Sequence, residues 1–284
     1  MLATGAFALL LAAAAGNAIA QPDAKRGLYL SKAGGCIGCH TETRQGAQPY
    51  AGGRALKTPF GTFYGPNITP HPQAGIGHWS EADFMNAMRF GVRPDGAHYF
   101  PAFPYPSFTK ITDADLKDIW AYLRGLPPSS RASQPHDLRF PFGWRFLIWG
   151  WKWLFFSPGP FTADDPAKSA ILNRGAYLVQ ALGHCSECHT PRNFLGGPRK
   201  DRFLGGAKLP DGAGALNLTP TRLKKQSDKE LIDLLQTGTT PDGDALAESM
   251  AEVVRNTTSQ LTSQDLAALI AYLRSLPALP EEPK

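Results

Sequence analysis

Two short segments of the 284-residue chain share the pattern Cys-x-x-Cys-His, and together they contain all four of its cysteines. The segments are residues 36–40 and 185–189. Two residues between the thiols match the separation of the vinyl groups of a haem, and the adjoining histidine can coordinate its iron. A redox-active disulfide or a zinc site uses the same cysteine spacing, but neither explains a histidine directly after each pair. The pattern therefore predicts two covalently bound haem c groups.

The two motifs assign a role to six residues. The thiols predicted to bind haem covalently are those of Cys36, Cys39, Cys185 and Cys188. The predicted proximal iron ligands are His40 and His189. The chain is long enough for two domains of about 100 to 150 residues, one for each haem.

The two halves of the chain repeat each other around these motifs. The sequence RGLYL at 26–30 precedes the first motif, and RGAYL at 174–178 precedes the second. Each motif is followed by a similar turn, PNITP at 66–70 and LNLTP at 216–220. We expect these turns on the distal side of each haem. Such self-similarity indicates an internal duplication.

Helix start signals give the register of this duplication. Capping boxes begin at Ser80 and Ser227, which are 147 residues apart (227 − 80). Each copy closes with an amphipathic helix, capped by Thr112 in the first copy and by Thr262 in the second. These elements predict an all-α fold of two tandem class I-like cytochrome c domains, joined by an aromatic linker.

The expected domains span residues 21–130 and 166–284, with the linker at 131–165. Residues 1–20 are largely apolar and end in Ala-Ile-Ala, a sequence of the type that signal peptidase cuts. No basic residue precedes this run, and its roughly 19 residues could also just span a bilayer. We expect a cleaved signal peptide or an N-terminal membrane anchor, and a periplasmic protein associated with the inner membrane.

The linker contains an unusual aromatic segment, residues 140–156. It has four tryptophans and five phenylalanines, and its only charged residues are Arg145 and Lys152. It is too short to span a membrane. Tryptophans beside basic residues suit a membrane surface or the groove of a partner protein, whereas a segment between two domains can also bury its aromatic residues as a shared core. The sequence leaves these three interpretations open.

The composition of the chain and the absence of certain motifs exclude several classes of function. The formal net charge is +5, and four haem propionates would offset most of it, so no nucleic-acid partner is inferred. The chain has no dinucleotide-binding glycine motif and no nucleophile elbow, and no cysteine remains for a molybdenum or iron–sulfur site. A haem iron with two protein ligands exchanges electrons without binding a substrate. These features predict an electron relay.

Several segments together resemble a bacterial family of cytochromes. They are the two haem motifs, FGTFYGPNITP at 60–70, PAFPY at 101–105 and FPF at 140–142. Across residues 23–280 the chain resembles the cytochrome c subunits of periplasmic, membrane-associated dehydrogenases for alcohols, aldehydes and sugar acids, and dihaem cytochromes that serve molybdenum hydroxylases. The best-known dehydrogenase subunits have three haem motifs, whereas this chain has two. The resemblance implies a dehydrogenase partner of the PQQ, flavin or molybdenum type, with quinone or a terminal oxidase as electron acceptor.

The prediction of the distal iron ligands starts from the position of Met250. It lies 62 residues after Cys188 (250 − 188), in the region where small cytochromes c place their methionine ligand. Met250 is therefore the predicted distal ligand of the second haem. At the offset of 147 residues it aligns with Phe103, which cannot ligate iron, whereas related first domains often have methionine there.

The first haem therefore needs a different distal ligand or none. His98 precedes Phe103 by five residues (103 − 98) and is the candidate ligand, although it could instead bond a propionate or a backbone carbonyl. The other possibilities are His71, His78 and an open iron. We expect this haem to have the lower potential and to receive electrons first. An open iron would instead favour an enzyme, such as a dihaem peroxidase.

Overall fold

The computed structural model describes residues 21–161, 169–209, 212–240, 242–246 and 248–281, and its two halves share one order of helices. The predicted leader or anchor, residues 1–20, lies outside the described residues. The first half contains α1 (Ala24–Ala33), α2 (Cys36–His40), β1 (Ala55–Thr58), β2 (Gly61–Tyr64), α3 (Glu81–Phe90), α4 (Tyr105–Phe108) and α5 (Asp113–Arg124). Two further elements, β3 (Asp137–Leu138) and α6 (Leu147–Phe155), belong to the linker.

The second half repeats this order with small differences. It contains α7 (Ala170–Tyr177), α8 (Ser186–His189), β4 (Ala207–Lys208), β5 (Gly214–Ala215), α9 (Pro220–Leu223), α10 (Asp228–Thr237), α11 (Glu248–Asn256) and α12 (Ser263–Ser275). A π-helical turn at Leu178–Leu182 extends α7, and short 3₁₀ turns lie at Lys200–Arg202 and Thr258–Gln260. Both predicted capping boxes, at Ser80 and Ser227, are present and begin α3 and α10.

Each domain is closed by the crossing of its first and last helices. A glycine allows the two backbones to touch: a Cβ atom on Gly27 would lie 1.9 Å from the carbonyl oxygen of Asp118, and one on Gly175 would lie 2.0 Å from that of Ala268. Helix α1 thus packs on α5, and α7 packs on α12. Leu116 in the first domain and Leu266 in the second are fully buried beside these crossings. The repeated RG(L/A)YL sequence marks this contact in both copies.

The fold is mostly helical, and the all-α expectation missed five short strands. In the first domain β1 pairs antiparallel with β2, and β2 pairs with β3 from the linker. In the second domain β4 and β5 form a separate two-stranded sheet. Apart from β3, these strands lie in the loop that follows each haem-binding helix. Strands of two to four residues have too little hydrophobic alternation to be recognised in a sequence.

The aromatic linker lies against the first domain through one face of α6. Ile148 packs into a small apolar cluster with Phe63 and Phe100. Lys152 is buried, and its ammonium donates hydrogen bonds to the carbonyl oxygens of Phe90 and Gly91 at the end of α3, at 2.6 and 2.9 Å. The burial is explained by these acceptors, because the carboxyl end of a helix attracts a positive charge.

Two tryptophans of α6 lie largely in solvent. Trp149 and Trp153 are 68% and 85% exposed. Toward the second domain, Trp151 and Phe155 lie beside the loop that contains Gly196 and Gly197. The segment therefore contacts both domains while leaving several large aromatic side chains in solvent. Among the described residues no helix has the length and apolar character needed to cross a membrane.

The two domains meet through reciprocal hydrogen bonds. Tyr29 of α1 donates to Asp265 of α12 at 2.5 Å, and the corresponding Tyr177 of α7 donates to Asp115 of α5 at 2.6 Å. Each carboxylate also pairs with an arginine of its own domain, Arg26 with Asp115 and Arg174 with Asp265. Equivalent residues thus exchange equivalent contacts, as across the two-fold axis of a homodimer.

Candidate functional site

The predicted attachment thiols lie on two short helices. Cys36 and Cys39 are on α2, Cys188 is on α8 and Cys185 directly precedes it. None of the four cysteines forms a disulfide. Burial raises the pKa of Cys39 to about 11 and that of Cys185 to about 12, so these thiols are protonated at neutral pH. Each pair remains available for a covalent bond to a cofactor.

The two motif histidines have the same environment. Nδ1 of His40 lies 2.8 Å from the carbonyl oxygen of Pro66, and Nδ1 of His189 lies 2.7 Å from that of Leu216. A carbonyl oxygen can only accept, so each Nδ1 carries a proton and donates it. Burial lowers the pKa of both imidazoles, which keeps them neutral. Each Nε2 therefore has a free lone pair, as an iron ligand requires.

These contacts place the two repeated turns beside the motif histidines, which are the predicted proximal ligands, and not on the opposite side as expected. The carbonyl groups are held by the next residues in the turn. Asn67 accepts hydrogen bonds from the amide and hydroxyl of Thr69, and Asn217 does the same for Thr219. All four side chains are buried. The repeated Asn-x-Thr was visible in the sequence, but its role in orienting the proximal histidine was missed.

A small hairpin in each domain confirms the offset of 147 residues in this region. The amide of Tyr99 donates to the carbonyl oxygen of Gly91, and the amide of Leu246 donates to that of Gly238. Isolated bridges join Val92 to His98 and Thr239 to Ala245 at the same offset. The alignment of Phe103 with Met250 thus follows from matching backbone hydrogen bonds.

Met250 lies on the first turn of α11 and is half-buried. The sequence did not predict this helix, because the residues just before Met250 are polar and show no helical periodicity. In the first domain Phe103 precedes the four-residue α4, and its ring packs against Tyr99 and Phe108 at centroid distances of 5.2 and 5.7 Å. Iron ligation by Met250 stays a prediction.

His98 lies in the first-domain hairpin and contacts α6. Its Nδ1 is 2.7 Å from the Lys152 ammonium, and its ring centroid is 5.1 Å from that of Trp149. The Arg145 guanidinium also donates to the His98 carbonyl oxygen at 2.6 Å. The interactions that hold His98 therefore come from the linker, which the sequence did not indicate. Its assignment as a distal ligand stays a prediction.

The other histidines considered for the first haem lie in the loop before α3. Nδ1 of His71 accepts hydrogen bonds from the amides of Gln73 and Ala74, at 3.3 and 3.1 Å, and so closes a turn. His78 is exposed. Neither residue is brought next to His98.

The two attachment segments face each other across the domain interface. A Cβ atom on Gly35, just before α2, would lie 3.0 Å from the hydroxyl of Thr257 and 3.9 Å from Nε2 of His184, just before Cys185. Phe108 packs edge-on against the His184 ring at 5.4 Å. The sequence did not single out His184, and its backbone φ of 37° is unusual for a residue with a side chain. The interface thus joins the two haem-binding segments directly.

The residue environments fit two haem c groups. Each motif supplies two thiols that form no disulfide and one neutral histidine whose Nε2 is available. The described residues contain no cluster of three or more histidine, cysteine, aspartate or glutamate side chains that could hold a metal ion, so a zinc site built from both cysteine pairs finds no support there.

The sequence is similar to those of known proteins. The sequence profile of the family described as cytochrome c matches residues 24–127 and again residues 172–277. A "diheme cytochrome c-type" protein of Cereibacter sphaeroides is 42% identical, over 98% of this chain and 98% of its own length. A nicotinate dehydrogenase subunit of Pseudomonas putida is 42% identical over 90% of the chain, which corresponds to 22% of that protein. The fructose dehydrogenase cytochrome subunit of Gluconobacter japonicus is 38% identical over 92% of the chain and 54% of its own length.

Relatives that are dehydrogenase subunits are therefore longer than this chain, whereas the dihaem relative has nearly the same extent. Two profile matches, two attachment motifs and a dihaem relative of the same length agree on the cofactor content. The chain belongs to the cytochrome c family and carries two covalently bound haem c groups, one in each half.

Proposed function

We propose that this protein is an electron relay between a dehydrogenase and a respiratory acceptor. Bound haem c supplies reversible one-electron oxidation and reduction of its iron. The observation that carries the proposal is the interface at Gly35 and His184, where the residues next to the two attachment motifs touch. Protein contacts at this point hold the two attachment segments against each other.

The proposed electron donor is a periplasmic dehydrogenase of the PQQ, flavin or molybdenum type, through its catalytic subunit. Support comes from the relatives, since similar segments occur within a nicotinate dehydrogenase subunit and a fructose dehydrogenase cytochrome subunit. The proposed acceptor is quinone or a terminal oxidase. We place the protein in the periplasm at the inner membrane, because the attachment of c-type haem takes place outside the cytoplasm.

A membrane-facing surface of the relay is supported by the outer face of α6. Trp149 and Trp153 are exposed on it, and Phe194 of the second domain is exposed in a neighbouring loop. The described residues 139–161 contain three basic side chains and no acidic one. Tryptophan and basic residues together favour the surface of an anionic membrane. Residues 1–20 could add a second anchor.

For the irons we propose His40 and His189 as proximal ligands and Met250 as the distal ligand of the second haem. A thioether favours reduced iron relative to imidazole, so the second haem would have the higher potential. Met250→Ala tests this assignment: the thioether-to-iron absorption band should disappear and the higher potential should fall. A band that persists in this variant would contradict it.

For the first haem we propose His98 as the distal ligand. Ligation would use Nε2, because Nδ1 faces the Lys152 ammonium. His98→Ala should then remove a low-spin bis-imidazole signal from the electron paramagnetic resonance spectrum. An unchanged ferric spectrum would exclude His98 and return attention to His71, His78 or an open iron.

The relay itself can be tested in cells. Deletion of the protein from its host should abolish membrane oxygen uptake with one substrate among ethanol, fructose, gluconate and nicotinate. The wild-type protein should restore that activity, whereas a Cys185→Ala variant, which has one thioether bond fewer to the second haem, should not restore it fully. Unchanged respiration on all four substrates would argue against the proposed dehydrogenase partners.

A second candidate function is favoured by Phe103, which stands where the second domain has Met250. If the first iron lacks a distal ligand, it could bind peroxide while the second haem supplies an electron. Mixing the half-reduced protein with hydrogen peroxide distinguishes the two functions. Rapid, stoichiometric oxidation of the second haem would indicate a peroxidase, whereas slow oxidation would favour the relay.

A further inference from the structure

Helix α11, which carries Met250, packs one face against its own domain and the opposite face against the first domain. Met250 and Val254 are one turn apart, and Val254 is buried beside Gly238 of the second domain. Two residues rotate a helix by roughly 200°, so Glu252 and Asn256 lie on the face opposite Met250. The helix therefore lies between the two haem-binding regions.

The outer face of α11 rests on the first haem-binding helix. The Arg54 guanidinium, which follows α2 in the first domain, donates to the Glu252 carboxylate at 2.6 Å. A Cβ atom on Gly38 of α2 would lie 3.3 Å from the side-chain nitrogen of Asn256 and 3.8 Å from a carboxylate oxygen of Glu252. The backbone of α2 at Gly38 therefore lies directly against these two side chains of α11.

The ion pair between Arg54 and Glu252 is partly shielded from solvent. Both side chains are less than one-quarter exposed, at 22% and 24%. Nε of Arg54 is buried and has no hydrogen-bond partner in the described residues. Removal of Glu252 would therefore leave a partly buried positive charge without its counter-ion, which costs more than breaking an exposed pair.

We propose that Arg54 and Glu252 are positioning residues for Met250. The first domain holds α11 through this ion pair, and α11 in turn presents Met250 to the second haem. The sixth ligand of one haem thus depends on the domain that binds the other. This proposal rests on the Met250 ligation proposed above.

The test uses the full-length dihaem protein with Arg54→Met and, separately, Glu252→Gln. The thioether-to-iron band is followed during urea titration, together with the far-ultraviolet circular dichroism and the two midpoint potentials. We expect the equilibrium between ligated and released Met250 to shift on the order of tenfold toward release, because a charged hydrogen bond is lost. The potential of the second haem should fall, and the band should disappear before the helices unfold.

The matched control is Arg131→Met, which removes an arginine–glutamate pair between Arg131 and Glu42 within the first domain. This control should leave the band and both potentials unchanged. The exchanged pair, Arg54→Glu with Glu252→Arg, should restore much of the band. Loss of the band and of the helices at one common urea concentration in the single variants would indicate a purely structural role and overturn the proposal.

Met250→Ala distinguishes iron ligation by Met250 from the positioning role of Arg54 and Glu252. If that variant keeps the band, ligation by Met250 is wrong and the positioning role falls with it. If it loses the band while Arg54→Met and Glu252→Gln behave like the wild type, ligation stands and only the positioning role is overturned.

Discussion

The two haem sites are alike on the proximal side and different on the distal side. His40 and His189 each donate to a backbone carbonyl in a turn held by a buried Asn-x-Thr. On the other side, the first domain has Phe103 and the four-residue α4, whereas the second has Met250 on the nine-residue α11. Duplication thus preserved the residues that attach haem and orient its proximal histidine. The two copies diverged at the aligned positions of Phe103 and Met250, where we propose the distal iron ligand of the second haem.

The linker also contacts the two domains differently. Lys152 and Arg145 bond the end of α3 and the first-domain hairpin. In the second domain the corresponding hairpin has backbone contacts to Gly238, and no linker helix covers it within the described residues. The first-domain hairpin is therefore covered by the aromatic segment, whereas α11 of the second domain packs on the other domain.

The largest expected effect comes from making the two distal sides alike. Phe103→Met places a thioether at the position that aligns with Met250, and we expect it to add a second thioether-to-iron band and to raise the lower potential. Optical redox titration would measure both. Phe103→Leu is the control for loss of the ring. A spectrum identical to that of the control would show that position 103 does not reach the first iron.

The helix crossings should respond alike in both domains. Gly27→Ala and Gly175→Ala each force a methyl group into a backbone carbonyl, and we expect each to lower the free energy of unfolding by about 3 kcal/mol. Urea denaturation checks this value. Gly150→Ala in α6 is the control, since a Cβ atom there meets nothing within 4 Å. A loss of stability in only one of the two variants would show that the two helix crossings are not equivalent.

The reciprocal interface bonds should differ modestly in strength. Tyr177 and its acceptor Asp115 are 4% and 3% exposed, whereas Tyr29, the equivalent residue of the first domain, is only half-buried. We expect Tyr177→Phe to cost about 2 kcal/mol and Tyr29→Phe about 1 kcal/mol, because both oxygens of Asp265 keep a hydrogen bond from Arg174, whereas the Asp115 oxygen that accepts from Tyr177 loses its donor in the interior. Thermal unfolding of both variants provides the comparison, and the reverse order would contradict it.

The smallest effect concerns pH and only the first domain. Burial lowers the pKa of Lys152 to about 8, so between pH 8 and 10 the unfolded chain binds more protons at this residue than the folded one. The stability of the wild type relative to Lys152→Met should therefore rise with pH across this window. Urea titrations at pH 7, 8, 9 and 10 would detect it. A difference that is flat or falls with pH would contradict the lowered pKa.

Sequence reasoning found the features encoded by local chemistry. The haem motifs, the capping boxes at Ser80 and Ser227 and the closing helices each depend on neighbouring residues. The short strands were missed because their pairing joins segments with no regular alternation. Helix α11 was missed because Met250 follows a polar stretch, and Val253 and Val254 alone were too few to indicate an amphipathic face.

The contacts between domains could not be predicted for another reason. Arg54 and Glu252 are 198 residues apart, and both have the composition of ordinary surface positions. The same is true of Lys152, which its charge alone would place in solvent and which instead lies under the first-domain hairpin. Contacts of this kind depend on how the folded domains dock against each other. No local sequence pattern encodes that geometry.

The exchanged bonds of Tyr29 and Tyr177 have a further consequence. A surface that pairs with its own duplicate is self-complementary, so a single ancestral domain with this surface could have associated with a second copy of itself. Fusion of the two copies would have replaced association at cellular concentration by a tether with a local concentration on the order of millimolar. Once the halves were joined, their equality was no longer required, and the position of Phe103 in one half could diverge from that of Met250 in the other.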